Sequence, residues 1–255
     1  MTTSDGMAEV LRSLRPGSGV DPARAGTRAL DVVGVAVSVF ARTPVGPHAT
    51  PAPEPLWCHP ELSLRFDELQ FTLGEGPGPD AVRFGVPVLE PDLERVRPER
   101  WPALLPAAQR LGVHGVCCFP LALGGARIGT LTLLCDGKRA LSDRQLADAN
   151  TLAAALTATL LNRRGPAGPN GTGSDGPLWP TTGLHRAVVH QATGMISVQL
   201  GATLEEALVR LRAHAYSSDR PLGDVAEDVV ARRLRFDAVM DDDGYGPHSP
   251  AGGEG

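Results

Sequence analysis

The stretch Val116–Leu134, VCCFPLALGGARIGTLTLL, decides the fold class. Two runs rich in strand-forming residues flank Gly124-Gly125, a two-residue turn that needs the positive φ angles glycine adopts freely. The segment therefore predicts a β-hairpin. Upstream, VAVSVF at Val35–Phe40 is apolar and β-branched and predicts a further strand, with shorter strands at Glu54–Cys58 and Pro87–Leu89. Helical stretches intervene at Leu62–Gln70, Pro79–Phe84 and Glu99–Leu111, after a helix opened by Asp21-Pro22. A long Leu/Ala run, Ser142–Leu161, closes the unit behind the capping box Ser142-Asp143-Arg144-Gln145. Helices and strands mixed around an antiparallel hairpin predict an α+β unit over residues 21–161.

A second unit, residues 181–238, is predicted to be all helix. Leu184, Val188, Ala192, Met195 and Ile196 fall on one arc of a helical wheel, and Gly201 offers a stop. Thr203-Leu204-Glu205-Glu206 is a second capping box, opening a helix with the stripe Leu204, Ala207, Leu208, Leu211 and Ala215. Pro221 opens a third helix with Leu222, Val225, Ala226 and Val229 facing inward, completing a three-helix bundle. Between the units, residues 162–180 (NRRGPAGPNGTGSDGPLWP) read as a Gly/Pro-rich linker. Residues 239–255 read as a disordered acidic tail, and residues 1–20 as poorly ordered apart from a short helix near Met7–Leu14.

The chain has 255 residues and a formal net charge of −5, so no global basic field advertises a nucleic-acid partner. A single lysine, Lys138, stands among 24 basic residues, and the bias towards Ala, Gly, Pro and Arg has the look of GC-rich coding. An arginine is therefore not by itself a sign of binding. No signal-peptide core or transmembrane run is present, which makes a cytoplasmic protein the expectation. Cys58, Cys117, Cys118 and Cys135 form no CxxC pair, and three of them lie in apolar runs as small core residues. P-loop, HExxH, GxSxG and dinucleotide fingerprints are all missing. Gly74-Glu75-Gly76-Pro77-Gly78 lacks the GK[ST] that would cradle phosphate and reads as a tight loop. His59, His114 and Cys117 read as ordinary loop or core residues. No enzyme activity, metal or cofactor is expected.

Glu68–Asp92, ELQFTLGEGPGPDAVRFGVPVLEPD, together with Phe119–Leu134, resembles the GAF domains of bacterial regulators. Residues Gln191–Ile196 (QATGMI), Glu205–Leu208 (EEAL), Leu211–Ala213 (LRA) and Leu222–Val230 are similar to the ANTAR domain. The ANTAR resemblance implies binding to paired hexaloop hairpins in nascent RNA, which prevents transcription termination. A GAF module ahead of it implies a sensor or dimerisation unit that gates this binding, in a homodimer and with a small-molecule signal of unknown identity. Two positions depart from the families: Thr193 stands where ANTAR domains commonly have lysine, and Gly78 where GAF segments often have cysteine.

On the first helix of the bundle, Arg186, His190, Thr193 and Ser197 fall opposite the apolar arc, with Gly194 at its border. Arginine contacts phosphate bidentately or stacks on an unpaired base, and hydroxyls read base edges. Arg210, Arg212, Arg232 and Arg235 supply further phosphate contacts from the other helices. On this reading Arg186→Ala or Thr193→Glu weakens hairpin binding while thermal stability stays nearly unchanged. A ligand of the GAF-like unit would be lined by Val37, Val39, Trp57, Phe71, Phe119, Leu121 and Leu131, which could equally be plain core. Residues 178–238 contain seven arginines and seven acidic residues, so their field is neutral. That neutrality keeps open an alternative, a sensor acting through protein partners with the bundle as docking module. A DNA-binding helix-turn-helix is a third reading, opposed by Asp224, Glu227 and Asp228 on its recognition helix.

Overall fold

The computed structural model of the chain describes residues 5–15, 17–40, 53–137, 139–163 and 186–236. The predicted linker and tail lie almost wholly outside the described residues. Five strands, β1 (Gly34–Phe40), β2 (Pro53–His59), β3 (Val88–Glu90), β4 (Gly115–Leu123) and β5 (Ala126–Cys135), form one antiparallel sheet in the order β2-β1-β5-β4-β3. The β4–β5 hairpin is its centre, closed by Leu123 opposite Ala126, with Gly124 at φ 56° in the turn. The α+β class with an antiparallel sheet flanked by helices is what the sequence predicted.

Alternation along the strands sorts side chains onto two faces. Val35, Val37, Val39, Cys117, Phe119, Leu121, Leu131, Leu133 and Cys135 pack beneath α1 (Asp5–Ser13), α2 (Pro22–Leu30) and α6 (Asp143–Arg163). Ala149, Leu152, Ala153, Leu156 and Leu160 are the buried stripe of α6, at helical spacing. Val88, Val116, Cys118 and Leu134 face the opposite layer, made of α3 (Glu61–Leu73), α4 (Pro77–Phe84) and α5 (Leu104–Leu111). Cys117, Cys118 and Cys135 are buried, and burial pushes the Cys118 thiol up to about 12.

Two expectations change. The N-terminal segment is no loose appendage: Met7, Val10 and Leu14 are buried in the core, with α1 packed on α2 and α6. Their spacing of three and four residues carried that signal, but a helix of only nine residues gains its stability from the partner helices. The helix predicted from Glu99 begins instead at Leu104, after a 3₁₀ turn at Pro98–Arg100. Pro102 disfavours α geometry at Trp101, which adopts φ −142° and buries its indole, donating to Asp80 at 3.2 Å. Glu75 of the glycine-rich loop then caps α5, accepting from the amides of Ala103 and Leu104 at 2.8 and 2.7 Å. No helix among the described residues is long and apolar enough to cross a membrane.

Met7 is 0% exposed where α1 packs on α2 and α6, so Met7→Ala is expected to cost about 2–5 kcal/mol of stability in chemical denaturation.

Candidate nucleic-acid interface

Three helices follow the undescribed stretch: α7 (Ala187–Leu200), α8 (Leu204–Ser217) and α9 (Leu222–Val230). Gly201 ends α7 in the left-handed conformation, and Thr203 and Glu206 form the reciprocal capping box that the sequence predicted for α8. Val189, Ala192, Ile196, Ala207, Leu211, Ala215, Leu222, Val225, Ala226 and Val229 make the core of the bundle. Asp228 on α9 accepts from Arg220 and Arg233, each at 2.7 Å, and these contacts hold its carboxyl below the usual range.

The bundle is docked on the α+β unit, and polar groups dominate the contact. Arg186, the residue before α7, is 3% exposed. Its guanidinium lies 3.8 Å over the ring of Phe71 on α3, and its Nη2 donates to Asp67 Oδ2 at 3.0 Å and to the Asp67 carbonyl at 3.3 Å. Nη1 donates to the carbonyl of Pro53 on the edge strand β2. The other carboxylate oxygen of Asp67 accepts from Ser38 on β1 at 2.8 Å, tying the contact into the sheet.

Glu54 of β2 meets the N-terminus of α7, where the helix dipole favours an anion. One oxygen accepts from the Arg186 amide at 3.3 Å, and the other lies 2.5 Å from His190 Nε2. Arg212 of α8 shares the Phe71 ring, at 5.0 Å, and presses so closely on Gly74 that a Cβ there would stand 2.9 Å from its Nη1. Burial, then the nearby Arg186, lower the Arg212 pKa to about 10, so it stays charged at neutral pH. Among the described residues, the Nε atoms of both Arg186 and Arg212 are buried without a hydrogen-bond partner.

The nine positions predicted to face RNA therefore divide. Arg186, His190 and Arg212 are engaged by the α+β unit. Thr193 is 6% exposed, its hydroxyl donating to the Val189 carbonyl of its own helix at 2.7 Å. Ser197 is half-buried and donates to the Ala202 carbonyl at 2.7 Å. Gly194 borders open space, and Arg210, Arg232 and Arg235 are exposed. The predicted polar face of α7 is thus turned inward rather than to solvent. The apolar arc shifts with it: Val189 enters the bundle core, while Val188 and Met195 are half-buried, and Leu184 lies outside the described residues. A helical wheel finds one buried face; it cannot show that the opposite face meets another unit through hydrogen bonds.

Six of the seven residues predicted to line a ligand pocket share one packed core, and the seventh lies apart from them. Val37, Val39, Phe119, Leu121 and Leu131 are packed beneath α1, α2 and α6, with Trp57 half-buried at the rim. Phe71 belongs instead to the bundle contact. A cleft of about 470 Å³ lies elsewhere, lined by Val33, Leu62, Asp92, His114, Asp136 and others, and contains none of the seven. Glu54 and Asp67, which organise the contact, were not singled out from sequence. Asp67 lies on the inward face of an amphipathic helix, where a carboxylate is rarely buried without a partner, and that was the available signal.

Residues 183–230 match the ANTAR domain, a span that contains α7, α8 and α9. Among solved structures, the chain is similar to the GAF domain of an Acinetobacter phosphoenolpyruvate-protein phosphotransferase, at 11% identity and a TM-score of 0.43, covering 63% of this chain and 93% of that one. The GAF domain of the Coxiella burnetii phosphoenolpyruvate-protein phosphotransferase is matched at 16% identity and the same TM-score, covering 63% and 97%. Free methionine-R-sulfoxide reductase from Neisseria meningitidis is matched at 13% identity and a TM-score of 0.41, covering 64% and 95%. No curated protein matches the sequence significantly.

The burial of Arg186 reverses the expected stability effect of its removal. Arg186→Ala leaves the Asp67 carboxylate, 6% exposed, without its guanidinium, and is expected to cost about 3–5 kcal/mol in denaturant unfolding rather than to be neutral. Thr193→Glu is likewise expected to destabilise, since it places a charge at a buried site.

Proposed function

We propose that this chain is a signal-responsive RNA-binding transcription antiterminator, in which the α+β unit senses a signal or dimerises and α7–α9 bind hairpin RNA. The observation that carries the reading is the ANTAR match over residues 183–230. The exposed guanidiniums of Arg210, Arg232 and Arg235 support it, since they are free of the contact with the α+β unit and suit phosphate. Because residues 178–238 balance seven arginines with seven acidic residues, affinity rests on shape and loop contacts more than on bulk charge. A homodimer presenting two bundles to two hairpins gains affinity through avidity. The reading assigns no catalytic step, cofactor or metal to the chain.

A second reading, the bundle as a docking module for a protein partner, is favoured by that neutral balance and by the fact that Arg186 and His190 already contact protein.

Binding of the purified chain to a two-hairpin hexaloop RNA, against a scrambled-loop RNA and duplex DNA, separates the readings. Loop-dependent binding is expected, with Arg210→Ala and Arg232→Ala each weakening it about threefold to tenfold and leaving unfolding midpoints unchanged. Capture of a protein with no loop-dependent RNA affinity would favour the docking module. Sedimentation across micromolar concentrations checks the dimer; a monomer throughout removes the avidity contribution.

A further inference from the structure

The surface that the α+β unit offers to α7 and α8 consists of two carboxylates, two backbone carbonyls and an aromatic ring face. Glu54 and Asp67 supply the anionic oxygens, Pro53 and Asp67 the carbonyls and Phe71 the ring. A single-stranded RNA loop offers the same set of groups: phosphate oxygens, carbonyl acceptors and flat base faces on which guanidinium planes stack. The side chains gripped by this surface, Arg186, His190 and Arg212, are cations or ionisable groups of the unit that matches the ANTAR domain. The exposed positions of α7, by contrast, are Ala187, Gln191 and Val198, none of which carries charge. In this arrangement α7 has no cation to offer a polyanion.

The contact is also incompletely compensated. Arg186 and Arg212 share one ring and face each other as like charges, while among the described residues Asp67 forms its ion pair with Arg186. The Nε–H of each arginine is buried and unpaired among the described residues. A buried donor without an acceptor weakens the arrangement that contains it. A ligand dense in acceptors would satisfy these donors, so the face is better suited to a polyanion than to its present occupant.

We propose that the Glu54–Asp67–Phe71 surface of the α+β unit occupies the RNA-binding face of the ANTAR unit, so that hairpin RNA and the α+β unit compete for Arg186, His190 and Arg212. The structure is then the closed form, and RNA affinity is scaled by the fraction of molecules in which the surface has let go. This inference rests on the RNA-binding reading above. It deepens that reading by naming what withholds the site.

The test uses the full chain and the two-hairpin hexaloop RNA. Glu54→Gln keeps the shape of the side chain and removes its charge, and Phe71→Ala removes the ring; the two are made singly and together. Hydrogen exchange at β2 and the first turn of α7 reports whether the contact has opened in each. The expected result is RNA binding about tenfold or more tighter in the opened variants, since apparent affinity rises with the competent fraction. The dependence on salt should also be steeper, by about 0.7 in log–log slope for each recovered phosphate contact. In the parent chain, adding RNA should speed exchange at β2. Met7→Ala, which weakens the fold far from the contact, should not raise RNA affinity. Equal RNA affinity in the parent and the opened variants, with β2 protection unchanged by RNA, would overturn the competition and leave the RNA reading intact. No RNA binding by variants that exchange shows to be open would overturn both.

Discussion

One guanidinium holds the two halves of this protein in register. Arg186 is stacked on Phe71, paired with Asp67 and bonded to the edge strand through Pro53, while its own amide meets Glu54. Removing a charge of this kind from water is costly, and only a near-complete set of partners makes it tolerable. The geometry meets that demand for the two Nη atoms but not for Nε. Everything else in the contact is arranged around this constraint. Asp67 must be fixed by Ser38 to receive the arginine, Glu54 must sit at the N-terminus of α7, and Phe71 must leave the sheet-facing layer to join the core of the bundle.

The α+β unit supplies the rigidity that such a contact needs. Its sheet is packed on both faces, so β1, which carries Ser38, is held in place by β2 on one side and β5 on the other. The edge strand β2 would otherwise present unpaired carbonyls to solvent, and Arg186 covers one of them. Asp67 lies on the inner side of α3, and that helix is anchored by Phe66 in the core. The glycine-rich loop after α3 turns the chain into α4 while Glu75 reaches across to cap α5, which fixes the end of α3 near Phe71 and Gly74. Gly74 then gives Arg212 room to lie flat against the backbone.

Much of this was legible in the residues. All five strands, α6 and the three bundle helices follow from apolar patterning, from Gly124-Gly125, and from capping signals at Ser142 and Thr203, because these are local preferences that the chain expresses wherever it finds itself. The shortened α5 and the buried α1 were less legible, since the first depends on a proline acting on the residue before it and the second on partner helices distant in sequence. Of the seven candidate ligand residues, six share one core and Phe71 is the exception. Phe71 lies on helix α3 and packs into the core of the bundle, a meeting of segments distant in sequence that no local pattern records.

By itself the sequence determined the architecture: an antiparallel α+β unit and a three-helix bundle matching the ANTAR domain, with seven arginines in residues 178–238. Only the tertiary structure decided which of those arginines are exposed. Arg186 and Arg210 were both expected to face RNA, yet one is 3% exposed against Phe71 and the other lies in solvent. The difference comes from Glu54 and Asp67, more than 100 residues earlier in the chain than Arg186. Helical periodicity reports contacts within a few turns, whereas a carboxylate and a guanidinium are brought together by the packing of whole units, and no local pattern records that meeting.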